Sequence, residues 1–188
     1  MADHGPDVHE RRRVRFLVIM RILGVDLGEV RQTDGFTCGP TTALVAAALL
    51  DEAYAAALDR TPEGLAREQH RLHRAANTVW PRRLGTTPAG VAALISAHGV
   101  PYRWRRFRRG DALDDVAEAV GRRLPVALLV GRVIPRHWLL LVEHPQPDTY
   151  HLFDPSSGRL REVGVDALRS HRMSPGFPRA YALVVPRG

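Results

Sequence analysis

Gln32-Thr33-Asp34-Gly35-Phe36-Thr37-Cys38-Gly39-Pro40-Thr41-Thr42 is the stretch on which the reading of this chain turns, because it holds the only cysteine and runs straight into an alanine-rich apolar segment. Ala43, Ala46, Ala47, Leu50, Tyr54 and Leu58 return at helical spacing, which predicts a helix from Pro40 to about Leu58. A thiol at the first turn of such a helix meets free backbone N–H groups and the positive end of the macrodipole, and both favour the thiolate. Gln32, upstream in the same stretch, carries a side-chain amide that can join the Cys38 backbone N–H in stabilising a tetrahedral oxyanion.

Acyl chemistry also needs a base and a group to orient it. Arg136-His137-Trp138-Leu139-Leu140-Leu141-Val142-Glu143 reads as a strand that opens on a histidine, and Tyr150-His151-Leu152-Phe153-Asp154-Pro155 as one that closes on an aspartate. A tight turn at Pro145-Gln146 sets His137 directly opposite Asp154, Leu139 opposite Leu152, Leu141 opposite Tyr150 and Trp138 opposite Phe153. In that register Asp154 holds the imidazole in the tautomer that takes a proton from Cys38. A one-residue slip would send one set of side chains to the other face, so the expectation is definite.

The other histidines have plainer readings. His98 precedes Gly99 and reads as a helix C-terminal residue facing the dipole. His70 and His73 fall among Arg67, Arg71 and Arg74 on a solvated helix face, His144 lies in the turn, His151 points away from Asp154, and His171 sits in a polar loop. Asp154-Pro155-Ser156-Ser157-Gly158 is also a good turn sequence without any chemistry.

Taken together, Gln32, Cys38-Gly39-Pro40-Thr41, His137-Trp138-Leu139 and Asp154-Pro155 resemble the papain-fold cysteine peptidases, closest to the bacterial C39 and C39-like group. The resemblance runs from Gln32 to Val185. It implies Cys38 as nucleophile, His137 as general base and acid, Asp154 as orienting residue and Gln32 as oxyanion donor. The third member is Asp rather than the Asn of papain, which agrees with the C39 side. C39 enzymes that cut after a double glycine are fused to transporters, and this chain has neither a membrane segment nor an ATP-binding motif, so that preference is not carried over.

Around this centre the chain reads as an α+β, papain-like arrangement: a helical N-terminal half packed on an antiparallel sheet from the C-terminal half, with the site in the cleft between them. Thr61-Pro62-Glu63 opens a second helix running to about Val79; Thr86 or Thr87 caps a third, ended by Gly99; a fourth covers about Asp111 to Arg123. Strands are expected at Val126–Val130, His137–Glu143, Thr149–Phe153, Leu160–Val163 and Ala180–Val185. The loop from Trp80 to Thr87 returns the chain toward the sheet and is a candidate cleft wall, although a plain interhelix loop is the simpler reading.

Composition bounds the rest. With 188 residues and 45% hydrophobic content, one domain over 28–188 is expected, preceded by an extension over 1–27 that is in part disordered, or Met20 as the true start. Arg21 interrupts the apolar run from Phe16 to Met20, too short to span a bilayer and without a cleavage site, so a cytoplasmic protein is expected. A single cysteine excludes an internal disulfide, and neither a structural metal nor a cofactor is read. The net charge of +7 comes with arginine and no lysine, a pattern of high-GC bacterial coding, so nucleic acid is not favoured even at Tyr102-Arg103-Trp104-Arg105-Arg106-Phe107-Arg108-Arg109. That run alternates as an edge strand would. The expected activity is hydrolysis of a peptide or amide bond in a peptide or protein substrate. The alternatives are a catalytically silent peptide-binding module and a papain-like acyltransferase or deamidase.

Overall fold

The computed structural model describes residues 30–77, 85–146, 148–173 and 176–188. The expectations for 1–27, for Met20 and for the loop over 80–84 lie outside them.

The thiol helix comes in two pieces. α1 (Cys38–Leu50) and α2 (Glu52–Ala57) meet at Asp51, whose extended backbone breaks the run that the alanine spacing predicts as one helix. Asp51 does this by capping: its carboxylate accepts from the Tyr54 N–H at 2.9 Å, and its other oxygen lies 3.0 Å from Nδ1 of His98. His98 therefore spends its ring on Asp51 rather than on its own helix end. α3 (Pro62–Ala76) and α4 (Pro88–Ser96) start as expected, with Pro at the first position and the Thr61 and Thr87 hydroxyls accepting from Gly64 and Gly90. His73 is buried against Asn77, not on a solvated face, because α3 turns that side toward the core.

The six strands are β1 (Tyr102–Arg106), β2 (Val126–Gly131), β3 (Pro135–Gln146), β4 (Thr149–Asp154), β5 (Arg159–Gly164) and β6 (Arg179–Pro186). They form one antiparallel sheet in the order β1-β6-β2-β3-β4-β5, which leaves the arginine-rich β1 at an edge. Two helices join the strands: α5 (Asp114–Gly121), shorter than expected, and α6 (Val165–Arg169), five residues too short for a periodicity to reveal. Side-chain alternation splits the core. Trp138, Leu140 and Phe153 pack with α1 and α4 on one face, whereas Leu139, Leu141 and Leu152 pack with α5 and α6 on the other. The result is the expected α+β architecture, with helices packed on an antiparallel sheet.

The β3–β4 register differs from the expectation. Leu141 pairs with Leu152 rather than Tyr150, and Leu140 rather than Trp138 pairs with Phe153, a displacement of two residues. The expected turn at Pro145-Gln146 is also displaced, since β3 continues to Gln146 and β4 begins at Thr149, and the pairing slips between Leu141 and Glu143. On the Leu140–Leu141 side of that slip, a shift of two preserves the facing of the side chains, because the strand repeat is two. His137 thus stands diagonally across from Asp154 instead of directly opposite, still on the same face and within reach.

Candidate active site

Three of the four residues singled out in the sequence come together. Cys38 is the first residue of α1, His137 lies near the start of β3 and Asp154 is the last residue of β4; they are 3%, 4% and 7% exposed. Nε2 of His137 lies 2.8 Å from Oδ1 of Asp154. Cys38 lies close enough to the imidazole to raise its pKa, and with Nε2 committed to the carboxylate, Nδ1 is the nitrogen left for the thiol.

The position of Cys38 follows from close packing behind it. A Cβ on Gly39 would lie 2.8 Å from Cβ of Thr86 and 3.2 Å from Cδ1 of Trp138, so only glycine lets the first turn of α1 approach the sheet this closely. Trp138 in turn donates from its indole N–H to the Thr86 carbonyl at 3.0 Å. The tryptophan beside His137 thus ties β3, the segment before α4 and the start of α1 to one another.

Asp154 is surrounded by donors. The Ser156 N–H and hydroxyl donate to Oδ1 at 3.0 and 2.7 Å, and Arg161 on β5 donates to Oδ2 at 3.1 Å. The turn over Asp154 to Gly158, in which the Gly158 N–H donates to the Asp154 carbonyl at 2.8 Å, is therefore both a good turn and part of the site. Burial works to raise the carboxyl pKa, but the hydrogen bonds and charge of His137 and the Ser156 donors outweigh it and hold Asp154 down to about 2. For His137 burial works against the charged ring, yet the bonds to Asp154 and Cys38 raise it to about 9. The ring of Phe177 stacks on His137, with centroids 4.8 Å apart and planes inclined by 24°.

Gln32 is placed differently. Its side-chain N–H₂ donates to the Asp34 carbonyl at 2.8 Å rather than to Cys38, its Oε1 is buried without a partner, and its backbone N–H donates to the Pro155 carbonyl at 2.9 Å. The loop it belongs to is fastened from two sides. Thr37, the residue before Cys38, accepts at Oγ1 from the Thr33 and Asp34 N–H groups at 3.1 and 3.2 Å. Gln69 on α3 is fully buried; its Nε2 donates to the Arg31 carbonyl at 2.8 Å and its Oε1 accepts from the Thr33 N–H at 3.0 Å.

Sequence reasoning missed Gln69, Ser156, Arg161 and Phe177. Gln69 left a trace: it shares a helix face with Leu65 and Leu72, where the spacing calls for an apolar residue. Phe177 left none, since it lies in an irregular segment before β6.

Among the described residues no helix is long and apolar enough to cross a membrane, and no group of three or more His, Cys, Asp or Glu could hold a metal ion. No family model matches the chain, and no curated protein matches it. Solved structures do. The peptidase domain of Streptococcus ComA, a bi-functional ABC transporter involved in quorum sensing, matches at a TM-score of 0.51 and 16% identity, covering 84% of this chain and 97% of that one. A double glycine motif protease from an AMS/PCAT transporter, solved with its leader peptide, matches at 0.49 and 11%, covering 84% and 90%. The chain has the papain-like α+β fold of C39-type peptidase domains.

Proposed function

We propose that this protein is a cysteine peptidase-like hydrolase that cleaves a peptide or amide bond, and that 28–188 forms the single unit carrying the chemistry. The observation that carries the proposal is His137, buried, bonded to Asp154 and close enough to Cys38 for the thiol to raise its pKa. A base within reach of a thiol and itself oriented by a carboxylate is the arrangement that activates a nucleophile.

The residues act in a defined order. His137 takes the Cys38 proton, and Sγ attacks the carbonyl carbon to give a tetrahedral oxyanion. The Cys38 backbone N–H and the Gln32 amide stabilise that charge, Gln32 through the Nε2 hydrogen not engaged by Asp34. His137 then protonates the leaving nitrogen, the C–N bond breaks and a thioester remains. A water that gives its proton to His137 attacks the thioester carbonyl, the C–S bond breaks, and the proton returns to Cys38 as the carboxylate departs. Asp154 keeps Nδ1 aimed at the thiol and stabilises the imidazolium throughout.

Labelling with a peptidyl vinyl sulfone or epoxide probe, followed by peptide mapping, tests the assignment without a known substrate. Label on Cys38 that disappears in the folded Cys38→Ser and His137→Ala variants is the expected result. A thiol that remains unlabelled in the native protein, but reacts once unfolded, would instead make the chain a silent binding module.

A further inference from the structure

We propose that Gln69 is a positioning residue for the oxyanion donor, holding Gln32 in place from a separate helix; the proposal rests on the reading of Gln32 given above. The carbonyl of Arg31 and the N–H of Thr33 flank Gln32 in the chain, and a single buried amide pairs with both, at 2.8 and 3.0 Å. This is how a neighbouring strand would hold an extended residue, except that a side chain does it. Both ends of the Gln69 amide are used, one as donor and one as acceptor, so its orientation is fixed and so is the backbone on either side of Gln32.

The expense of the arrangement points to the site. Gln69 lies on the face of α3 that carries Leu65 and Leu72, where an apolar side chain of similar size would bury without needing partners. What the clamp supplies beyond hydrogen bonds is a fixed position for the intervening residue. The Gln32 amide is further restrained by Asp34, and the Gln32 N–H by Pro155 beside Asp154. Transition-state stabilisation by a dipole depends on such pre-set geometry, and a displacement of about 1 Å can cost up to about a hundredfold in rate.

Cys38 is the only thiol, so two small reagents separate the roles. Acylation by p-nitrophenyl acetate passes through a tetrahedral oxyanion, whereas alkylation by iodoacetamide does not, and both require the same ionised sulfur. The ratio of the two rates at Cys38, located by mass mapping, reads oxyanion stabilisation alone. Gln32→Ala should lower the ratio by about a hundredfold. Gln69→Met, which keeps the buried volume, should lower it by about tenfold. The Gln32→Ala/Gln69→Met double variant should be no worse than Gln32→Ala, since a positioning residue has nothing left to position. The carboxyl introduced by Gln69→Glu can reproduce both bonds only when protonated, so its ratio should climb as the pH falls.

A Gln69→Met ratio equal to the native one, or a loss that adds in full to that of Gln32→Ala, would overturn the proposal. So would a parallel fall in both rates, which is what a purely structural role gives. An unchanged ratio in Gln32→Ala would strike one step earlier, at the oxyanion reading itself.

Discussion

His137 carries the clearest pH signature. Its pKa is raised above the ordinary value, so the protonated ring and the stability it contributes are present below about 6.5 and are lost as the pH rises through about 9. Asp154 is shifted down, and its contribution is present above about 4 and lost as the pH falls toward about 2. Turnover should therefore fall on the alkaline side near pH 9 as the general acid is lost. Asp154→Asn removes a charge that raises His137 while leaving an amide oxygen to accept from Nε2, so the alkaline limb should move to lower pH with activity partly retained. His137→Ala should remove nearly all activity. A rate profile whose alkaline limb stays put in Asp154→Asn would show that Asp154 does not tune the ring. The members of this pair were legible in sequence because each ends or opens an apolar strand. Ser156 and Arg161 were not, since serine in a turn and arginine on an edge-side strand have ordinary explanations there.

Elements were legible where a period or a cap announced them. Thr61-Pro62 and Thr87-Pro88 mark helix starts chemically, and the structure places both where expected. The break at Asp51 was hidden because capping by one carboxylate overrides an alanine period that continues across it. The β3–β4 register was half legible: facing follows from alternation, whereas the exact pairing depends on the turn and on a slip that alternation does not encode. Gly39 makes the element-scale prediction. Gly39→Ala forces its new methyl against Thr86 and Trp138, so the start of α1 must shift or the contact must open. A loss of about 1–3 kcal/mol is expected from overpacking of this kind, seen as a lower denaturation midpoint at unchanged slope. Labelling of Cys38 should slow in the fraction that remains folded. Native stability and native labelling in Gly39→Ala would mean that the close approach is not what sets the thiol.

At the scale of the whole molecule, the sheet joins the two halves of the site, since α1 packs on the face of β3 that holds Trp138 while His137 and Asp154 come from strand ends. The arginine-rich run proves to be an edge strand, as its alternation indicates, with Arg105 turned to α5 and bound to Asp111 and Asp115 at 2.6 Å each. Arg105→Ala would leave two carboxylates facing each other without a cation, and a loss of about 1–3 kcal/mol is expected, recovered in part at high salt; thermal melts at two ionic strengths would read it. In the proposed mechanism Cys38 and His137 form one reactive unit. Its most direct measure is the rate of Cys38 alkylation by iodoacetamide across pH 5 to 8 in the native protein and in folded His137→Ala. The native rate should lie well above that of the variant at the acidic end of this range, because His137 beside the sulfur takes its proton. Equal rates at every pH would contradict it.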